Sequence, residues 1–426
     1  MRVFTSFILL LVLCSWGLPA SAQLGCGSSV SVNGGAIEVA AVSGDDAPNI
    51  ECALNAATAQ GFGSVLLTSP QYSIASKVVV DGFTGEFKGI SIANTRVQVQ
   101  DGWMNCNASN PNVIQFSNGF GVVVRFMTIA VGSPCQFTGS PSVIGFTTDP
   151  NNCADRTTFG TVDRVTIRGQ GLQGTDFVDG VLMFTADNCG PRILGTLKVN
   201  RSTFDQLDRG VVSGVVANGQ VDVNFNTFTA VGIPIFMRDQ SQSTTILGNM
   251  IEYNNGDYGD NFFGRYGIRM ESLAGSPANN STTIKNNTFR NQLVNSFGIA
   301  VGLGVFTDPV NHAVFISDNI FEGATGSQTA DNGAGIGIEG INDGVISGNA
   351  FRGGTREWIF LTTSTARPAI AGWSILANDF SQSTAEIDIQ LIGASESVVG
   401  RGQDNPSFFD QTGANDILEG TAQAAP

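Results

Sequence analysis

Four stretches in the second half of the chain read almost alike: Ile284-Lys-Asn-Asn-Thr-Phe289, Ile316-Ser-Asp-Asn-Ile-Phe321, Ile346-Ser-Gly-Asn-Ala-Phe351 and Ile375-Leu-Ala-Asn-Asp-Phe380. Each has an apolar residue, Asn three positions later and a second apolar residue two further on. Val223/Asn226/Phe228 and Ile246/Asn249/Ile251 share that spacing, and successive Asn positions lie 23, 38, 32, 30 and 29 residues apart. Looser copies stand upstream at Val199/Ser202/Phe204, Val162/Val165/Ile167 and Val124/Met127/Ile129, so the pattern covers residues 124–380. The segments are too short for long helices and are separated by Gly, Asn, Asp and Ser turn signals. Each is followed by a second short run, such as Gly232-Ile-Pro-Ile235, Gly267-Ile-Arg-Met270, Gly298-Ile-Ala-Val301, Gly335-Ile-Gly-Ile338 and Glu386-Ile-Asp-Ile389. Here the period is two, which predicts strands with Ile or Val inward and the variable residue outward.

A repeat of a few short strands cannot bury its own apolar face, whereas stacked copies can. The variable repeat length fits a parallel β-helix, in which loops of different size leave the same corner of each coil. It fits leucine-rich or propeller repeats less well. The recurrent Asn then has a physical task. Its side-chain amide can donate to the next coil and accept from the previous one, forming a ladder inside the bend. The Phe and Ile residues would stack in columns beneath it. At about 4.8 Å per rung, roughly ten to twelve coils would make a rod on the order of 50 to 60 Å long.

Composition agrees with this. The 426 residues are 13% charged and 42% hydrophobic, include 53 Gly, and carry a formal net charge of -15. That mixture disfavours long surface helices, because Gly is a poor helix former, and it is too apolar for a charged disordered chain. The acidic balance argues against nucleic acid as a partner. An acidic polymer would need a local Arg cluster.

Residues 1–22 read as a signal peptide, with Arg2, the apolar run Phe7 to Leu13 and a small-residue cleavage site at Ala20-Ser-Ala22. No later stretch reaches spanning length, so the expected location is secreted or periplasmic. Removing the signal removes Arg2 and no acidic residue, taking the net charge from -15 to -16. Cys26, Cys52, Cys106, Cys135, Cys153 and Cys189 remain, an even set that favours disulfides in an exported protein, with neighbour pairing the simplest arrangement. The chain has 1 His, His312, which argues against His-based metal sites and Ser-His triads. At the front, Asp45-Asp-Ala-Pro48 precedes a short amphipathic helix over 49–57, ended by Gly61-Phe-Gly63, after which Ser64 to Thr68 starts the strands. A helix there would cap the open end of the solenoid. The expected organisation is therefore a signal at 1–22, an N-terminal segment with capping helix at 23–62, the β-helix at 63–400 and a tail at 401–426.

Gly44-Asp-Asp46 before an Ala-rich helix, the strand around Tyr72, Glu86-Phe-Lys-Gly89 and the apolar-x-x-Asn-x-apolar coils together resemble the pectin-lyase-like superfamily, over most of residues 40–400. That resemblance implies a right-handed, single-stranded parallel β-helix. It also implies a choice among polysaccharide lyases, glycoside hydrolases, esterases, epimerases, tail spikes and non-catalytic surface proteins. The sequence departs from the polygalacturonase pattern. Its Asp45-Asp46 pair lies in the cap, His312 follows Asn311 rather than Gly, and Arg-Ile-Lys is absent. A pectate-lyase-like calcium set cannot be assigned either.

Candidate site residues come from stacking the coils. With Ile268 and Met270 inward, Arg269 and Glu271 face outward, alongside Pro234, Ala300, Gly337, Glu339 and Asp388 of the matching strands. Asp208-Arg209, Arg238-Asp239 and Arg265 are near in sequence. Glycoside hydrolysis needs two carboxylates flanking the bond, so Asp239, Glu271 and Arg269 are the expected catalytic group. Arg209, Arg238 and Arg265 would bind substrate, and Arg209, Arg238 or Arg269 could clamp a uronate carboxylate. The same Asp and Arg residues would also suit solvated salt bridges at coil corners. No cofactor is required. Asp257 and Asp260, in an oxygen-rich loop, have the chemistry of a calcium site. The expected function is an exported, carbohydrate-associated protein, a polysaccharide lyase or glycoside hydrolase. The alternative is a non-catalytic binding or structural β-helix, favoured by the missing catalytic set and by a low content of sugar-stacking residues, with only 4 Tyr and 4 Trp.

Overall fold

A computed structural model describes residues 24–101, 112–132, 142–148, 157–169, 178–183, 194–214, 219–237, 243–253, 265–271, 280–292, 296–302, 311–323, 333–354, 357–363, 370–404 and 406–423. The first two described strands, Val30–Asn33 and Ala36–Val39, pair as an antiparallel hairpin. Every later strand pairing among the described residues is parallel. A typical coil has three strands: Gln220–Asn224, Thr227–Thr229 and Ile233–Met237. The next coil stacks on it in register, Ile246 on Val223, Ile251 on Phe228 and Ile268 on Ile235. The third strand of each coil builds a 13-stranded sheet, from Val78–Asp81 to Thr421–Ala422. The other two belong to a 24-stranded sheet that bends at the Asn corner.

That corner explains the sequence repeat. The residue before each Asn is left-handed, with φ of 58° at Phe225, 64° at Gly248, 56° at Asn286, 55° at Asp318, 64° at Gly348 and 51° at Ala377. Phe126, Arg164 and Arg201 have the same conformation, so the looser upstream copies turn the same corner without the Asn. Asn226, Asn249, Asn287, Asn319, Asn349 and Asn378 are all buried. The side-chain Oδ1 of Asn319 accepts from the backbone N–H of Asn287 at 2.9 Å and from its Nδ2 at 3.0 Å. Its own Nδ2 donates to Asn349 Oδ1 at 2.9 Å and to the Ile284 carbonyl at 3.0 Å. The expected ladder is therefore present, each amide donating to the next coil and accepting from the previous one. It satisfies buried backbone groups that a sharp bend would otherwise orphan. Ser202 N–H enters the ladder at Asn226, and Asn378 passes it on to Gln403 Oε1 at 3.2 Å.

Beneath the ladder, ring centroids of Phe204 and Phe228 lie 4.9 Å apart. Phe289, Phe321, Phe351 and Phe380 continue the column at 4.7, 5.1 and 4.8 Å, after the gap filled by Ile251. The rings press against a row of glycines in the 13-stranded sheet. A Cβ on Gly210 would stand 2.6 Å from Phe228, and one on Gly298 2.6 Å from Phe321. Glycine therefore recurs there because the sheet backbone closes directly onto the aromatic column.

The capping helix runs from Ala47 to Gln60, longer than the sequence suggested at both ends, and buries Ile50, Ala53, Leu54 and Ala57. Its entry is pinned by carboxylates. Asp46 accepts from Val42 N–H at 2.7 Å and Ser73 N–H at 2.6 Å, and Asp45 accepts from Ala75 N–H at 2.8 Å and Ala47 N–H at 3.1 Å. Burial alone would raise the Asp45 pKa, but these bonds and that from Ser76 outweigh it and hold it below the usual carboxylate range. A disulfide joins Cys26 to Cys52, as neighbour pairing predicts. Cys106, Cys135, Cys153 and Cys189 lie outside the described residues, as do residues 1–22. No described helix is long and apolar enough to cross a membrane.

Two boundaries differ from the sequence reading. The first parallel rung precedes the helix, because Ala36–Val39 pairs with Ser64–Leu67. At the other end, the stretch expected as a tail contains Ser407–Asp410 and Thr421–Ala422, both paired into the 13-stranded sheet. Phe408 and Ile417 pack against the core there, which supplies the apolar contact that keeps these last rungs in place.

Candidate functional site on the outer face of the thirteen-stranded sheet

Along the 13-stranded sheet, Ile235, Ile268 and Ile299 point into the core. Their neighbours point outward, and strand register stacks them as Leu182, Val212, Phe236, Arg269, Ala300 and Gly337. This outer face has its own apolar floor. Leu182, Val212, Ile233 and Phe236 form one buried cluster, and Phe297, Ala300 and Ala334 form another. Tyr266 packs against both, and its ring stacks on Phe297 with centroids 5.6 Å apart.

Charged groups sit on this floor in pairs. Arg209 holds Asp179, one coil earlier, in a two-point clamp: Nε donates to Oδ1 at 2.6 Å and Nη2 to Oδ2 at 2.8 Å. The Asp179 side chain is fully buried, so the clamp is charge-assisted and shielded from water. Asp208 Oδ2 stands 3.6 Å from the same Arg209 Nε. Burial pushes the Asp179 pKa up, and the Arg209 charge and its two hydrogen bonds oppose that. Burial, and then the Asp179 charge, push Asp208 from 3.8 up to about 7, against the pull of Arg209. Burial alone would lower the Arg209 pKa, but Asp179, Asp208 and Glu271 hold it above the usual value. Arg269 pairs with Glu271 and lies 4.7 Å over the Tyr266 ring. Arg209 and Arg269 each lie 5.6 Å from the Phe236 centroid. Burial raises the Tyr266 pKa; the Arg269 charge opposes that, and Glu271 and Glu339 add to it. Both glutamates are thus within electrostatic reach of one phenol.

Glu271, Gly302 and Glu339 each follow one of the in-register inward residues Met270, Val301 and Ile338. A Cβ on Gly302 would stand within 3 Å of the Glu339 carbonyl oxygen, so the rung between the glutamates carries no side chain.

The expected site residues divide as follows. Arg209, Arg269 and Glu271 come together on one face, with the two arginines in ion pairs. The backbone of Arg265 lies in the same sheet, in register with Ser296, and its side chain is outside the described residues. Arg238, Asp239, Asp257 and Asp260 also lie outside them. Asp388 accepts from the backbone N–H of Ser407 at 2.8 Å and from its Oγ at 2.9 Å, a link between coils. Among the described residues, no group of three His, Cys, Asp or Glu could hold a metal ion. Sequence reasoning missed Asp179, Phe236, Tyr266 and Phe297. A usable signal existed for the first. Asp179-Gly-Val and Arg209-Gly-Val align on the glycine that faces the aromatic column, which places Asp179 directly under Arg209.

No protein-family model matches the sequence, and no curated protein matches it. Solved structures do match. The Dettilon tailspike protein superposes with a TM-score of 0.56 at 15% identity, over 89% of this chain and 68% of its own. A mutant tailspike protein of E. coli bacteriophage HK620, in complex with pentasaccharide, gives 0.51 at 11% identity, over 86% of this chain and 63% of its own. The A-module of a mannuronan C-5 epimerase from Azotobacter vinelandii gives 0.47 at 15% identity, over 90% of this chain and 94% of its own. At such identities the likeness is one of fold. The two tailspike proteins and the parallel rungs agree on that fold: the chain is an all-β, right-handed parallel β-helix with a helix at its N-terminal end.

Proposed function

We propose that this protein is an exported, carbohydrate-binding β-helix whose ligand lies along the outer face of the thirteen-stranded sheet. The observation that carries this reading is the run of Arg209, Phe236, Tyr266, Arg269 and Glu271 on one face, each charge fixed by a partner and each ring by a neighbour. Ligand sites place a few fixed polar groups over a rigid, mostly apolar floor; here Phe236 is buried in that floor and Tyr266 lies under Arg269 at 4.7 Å. A parallel sheet supplies that rigidity, because each rung is bonded on both sides. The fold is shared with a tailspike protein solved with a pentasaccharide, which supports the reading without identifying the ligand here.

One observation favours hydrolysis as a second, finer reading. Glu271 and Glu339 stand two rungs apart across the bare Gly302 rung, so their backbone positions are about 9.6 Å apart. Carboxyl groups about 6.5 to 9.5 Å apart leave room for a glycosidic bond and an attacking water, as in inverting glycosidases, and this backbone spacing stands at the upper end of that range. One would protonate the leaving oxygen while the other takes a proton from water.

The test is a panel of neutral and charged polysaccharides offered to the purified protein, reading binding, reducing ends and unsaturated products. Binding that Arg269→Ala weakens supports the site. New reducing ends that disappear in both Glu271→Gln and Glu339→Gln support hydrolysis. Binding with no product assigns the face to a non-catalytic surface protein, and absence of binding across the panel refutes the site.

A further inference from the structure

We infer that the ligand of this face is an uncharged glycan, and that polyuronates are poor ligands. The inference rests on the carbohydrate-binding reading above and deepens it by naming the substrate class.

The uronate expectation assigned a free arginine to the ligand carboxylate. The structure gives each described arginine side chain on this face a carboxylate partner from the protein. Arg209 donates two hydrogen bonds to Asp179, whose side chain is fully buried. A uronate could take Arg209 only by displacing Asp179 and leaving a buried carboxylate unpaired, which is among the costliest outcomes in a protein interior. Arg269 is paired with Glu271 and also covers the rings of Tyr266 and Phe236. Drawing it toward a ligand would break the ion pair and uncover both rings. Against these two arginines stand the carboxylates of Asp179, Glu271 and Glu339, so the described face has no surplus positive charge. Burial, and after it the Asp179 charge, hold the Asp208 proton up to about 7 against the pull of Arg209. An arriving carboxylate would meet the same loss of water and the same Asp179 charge. A neutral sugar would not, and its hydroxyls can donate to these carboxylates and accept from the guanidinium edges without separating the pairs.

The test uses the mature, disulfide-intact chain at about 0.15 M salt. Dextran, a neutral galactomannan and a neutral arabinoxylan are compared with polygalacturonate and alginate by affinity electrophoresis and calorimetry. The expected result is at least one neutral polysaccharide bound about tenfold or more tighter than either polyuronate. Glu271→Gln, which removes the anion holding Arg269, should then raise polyuronate binding about tenfold. Asp179→Asn should do the same through Arg209. Glu271→Gln is the primary variant because Glu271 is partly exposed and its loss spares the buried clamp. A wild-type protein that binds polyuronate at least as tightly as every neutral glycan, with that binding lost in Arg269→Ala, would overturn the inference while leaving the binding face intact. Binding of neither class would overturn the binding face and the inference together. Neutral binding with no gain for polyuronate in the folded Glu271→Gln protein would overturn the charge-pairing explanation.

Discussion

Replacing Asn319 by Ala tests the corner ladder at its centre. Four side-chain hydrogen bonds end on Asn319, but their losses are unequal. The Asn287 side-chain amide keeps the carbonyls of Ile246 at 3.0 Å and Lys285 at 3.1 Å. Asn349 Oδ1 keeps the backbone N–H of Asn319 at 3.0 Å. The groups that lose the Asn319 side chain without such a replacement are the backbone N–H of Asn287 and the inward lone pair of the Ile284 carbonyl. Leaving a buried polar group unsatisfied costs about 1 to 3 kcal/mol, so the variant should lose roughly 2 to 6 kcal/mol. In a stacked solenoid the damage should concentrate in the coils that share the ladder. Hydrogen exchange is therefore the assay, with the urea midpoint as the global check. At the lower figure, the Asn287 amide should exchange about 30-fold faster. The molecule contains its own control, because Ser202 occupies the same corner position. Its Oγ accepts from Val165 N–H at 3.2 Å and donates to the Asn200 carbonyl at 2.9 Å. Asn319→Ser retains an acceptor for Asn287 and should cost roughly half as much as Ala. Unchanged Asn287 exchange in the Ala variant, or a Ser variant as damaged as Ala, would refute the ladder as the source of corner stability.

Three other outcomes follow from particular contacts. Gly298→Ala would place a Cβ 2.6 Å from Phe321 and 2.7 Å from the Gly335 carbonyl, so a loss of about 1 to 3 kcal/mol should show in the urea midpoint; an unchanged midpoint would mean that the sheet can move off the aromatic column. Asp208 binds its proton more tightly in the fold than its ordinary 3.8, holding it up to about 7, so its contribution is most favourable in acid and is lost as pH rises between those values; Asp208→Asn should flatten that part of the profile of thermal midpoint against pH, and an unaltered slope would contradict the assignment. Asp45 behaves oppositely, since hydrogen bonds overcome burial and lower its pKa; its contribution is present above about 4 and fades as pH falls through the folded value, so Asp45→Asn should be less stable than wild type at neutral pH and converge with it in acid.

The fold was legible because its two strongest constraints each select one residue type at one place. A corner with buried backbone groups selects Asn, and the approach of the sheet to the Phe column selects Gly. Both recur at fixed offsets from an Ile, so coil register can be read without coordinates. Legibility fails where another residue meets the same constraint. Arg164 and Arg201 adopt the left-handed corner conformation before Val165 and Ser202, and the Asn signal fades although the turn is retained. It also fails at the last rungs, where Phe408 and Ile417 hold strands that have no Asn pattern to mark them.

The site was harder to read, for a related reason. On the outer face, the decisive contacts join residues one coil apart, and coil length is set by loops that obey no repeat. Asp179 and Arg209 are 30 residues apart and make a two-point clamp, yet only the glycine following each reveals that they stack. Charge alone suggested that Arg209 and Arg269 were available to a ligand carboxylate. The register shows which carboxylates they already hold, and that removes the ground for assigning them to a uronate. In a stacked-coil protein, a charged residue therefore has to be read together with the residues one rung above and below before it is assigned to a ligand. Here that reading turns an apparent uronate clamp into a rigid floor of paired charges and stacked rings, suited to a sugar with no charge of its own.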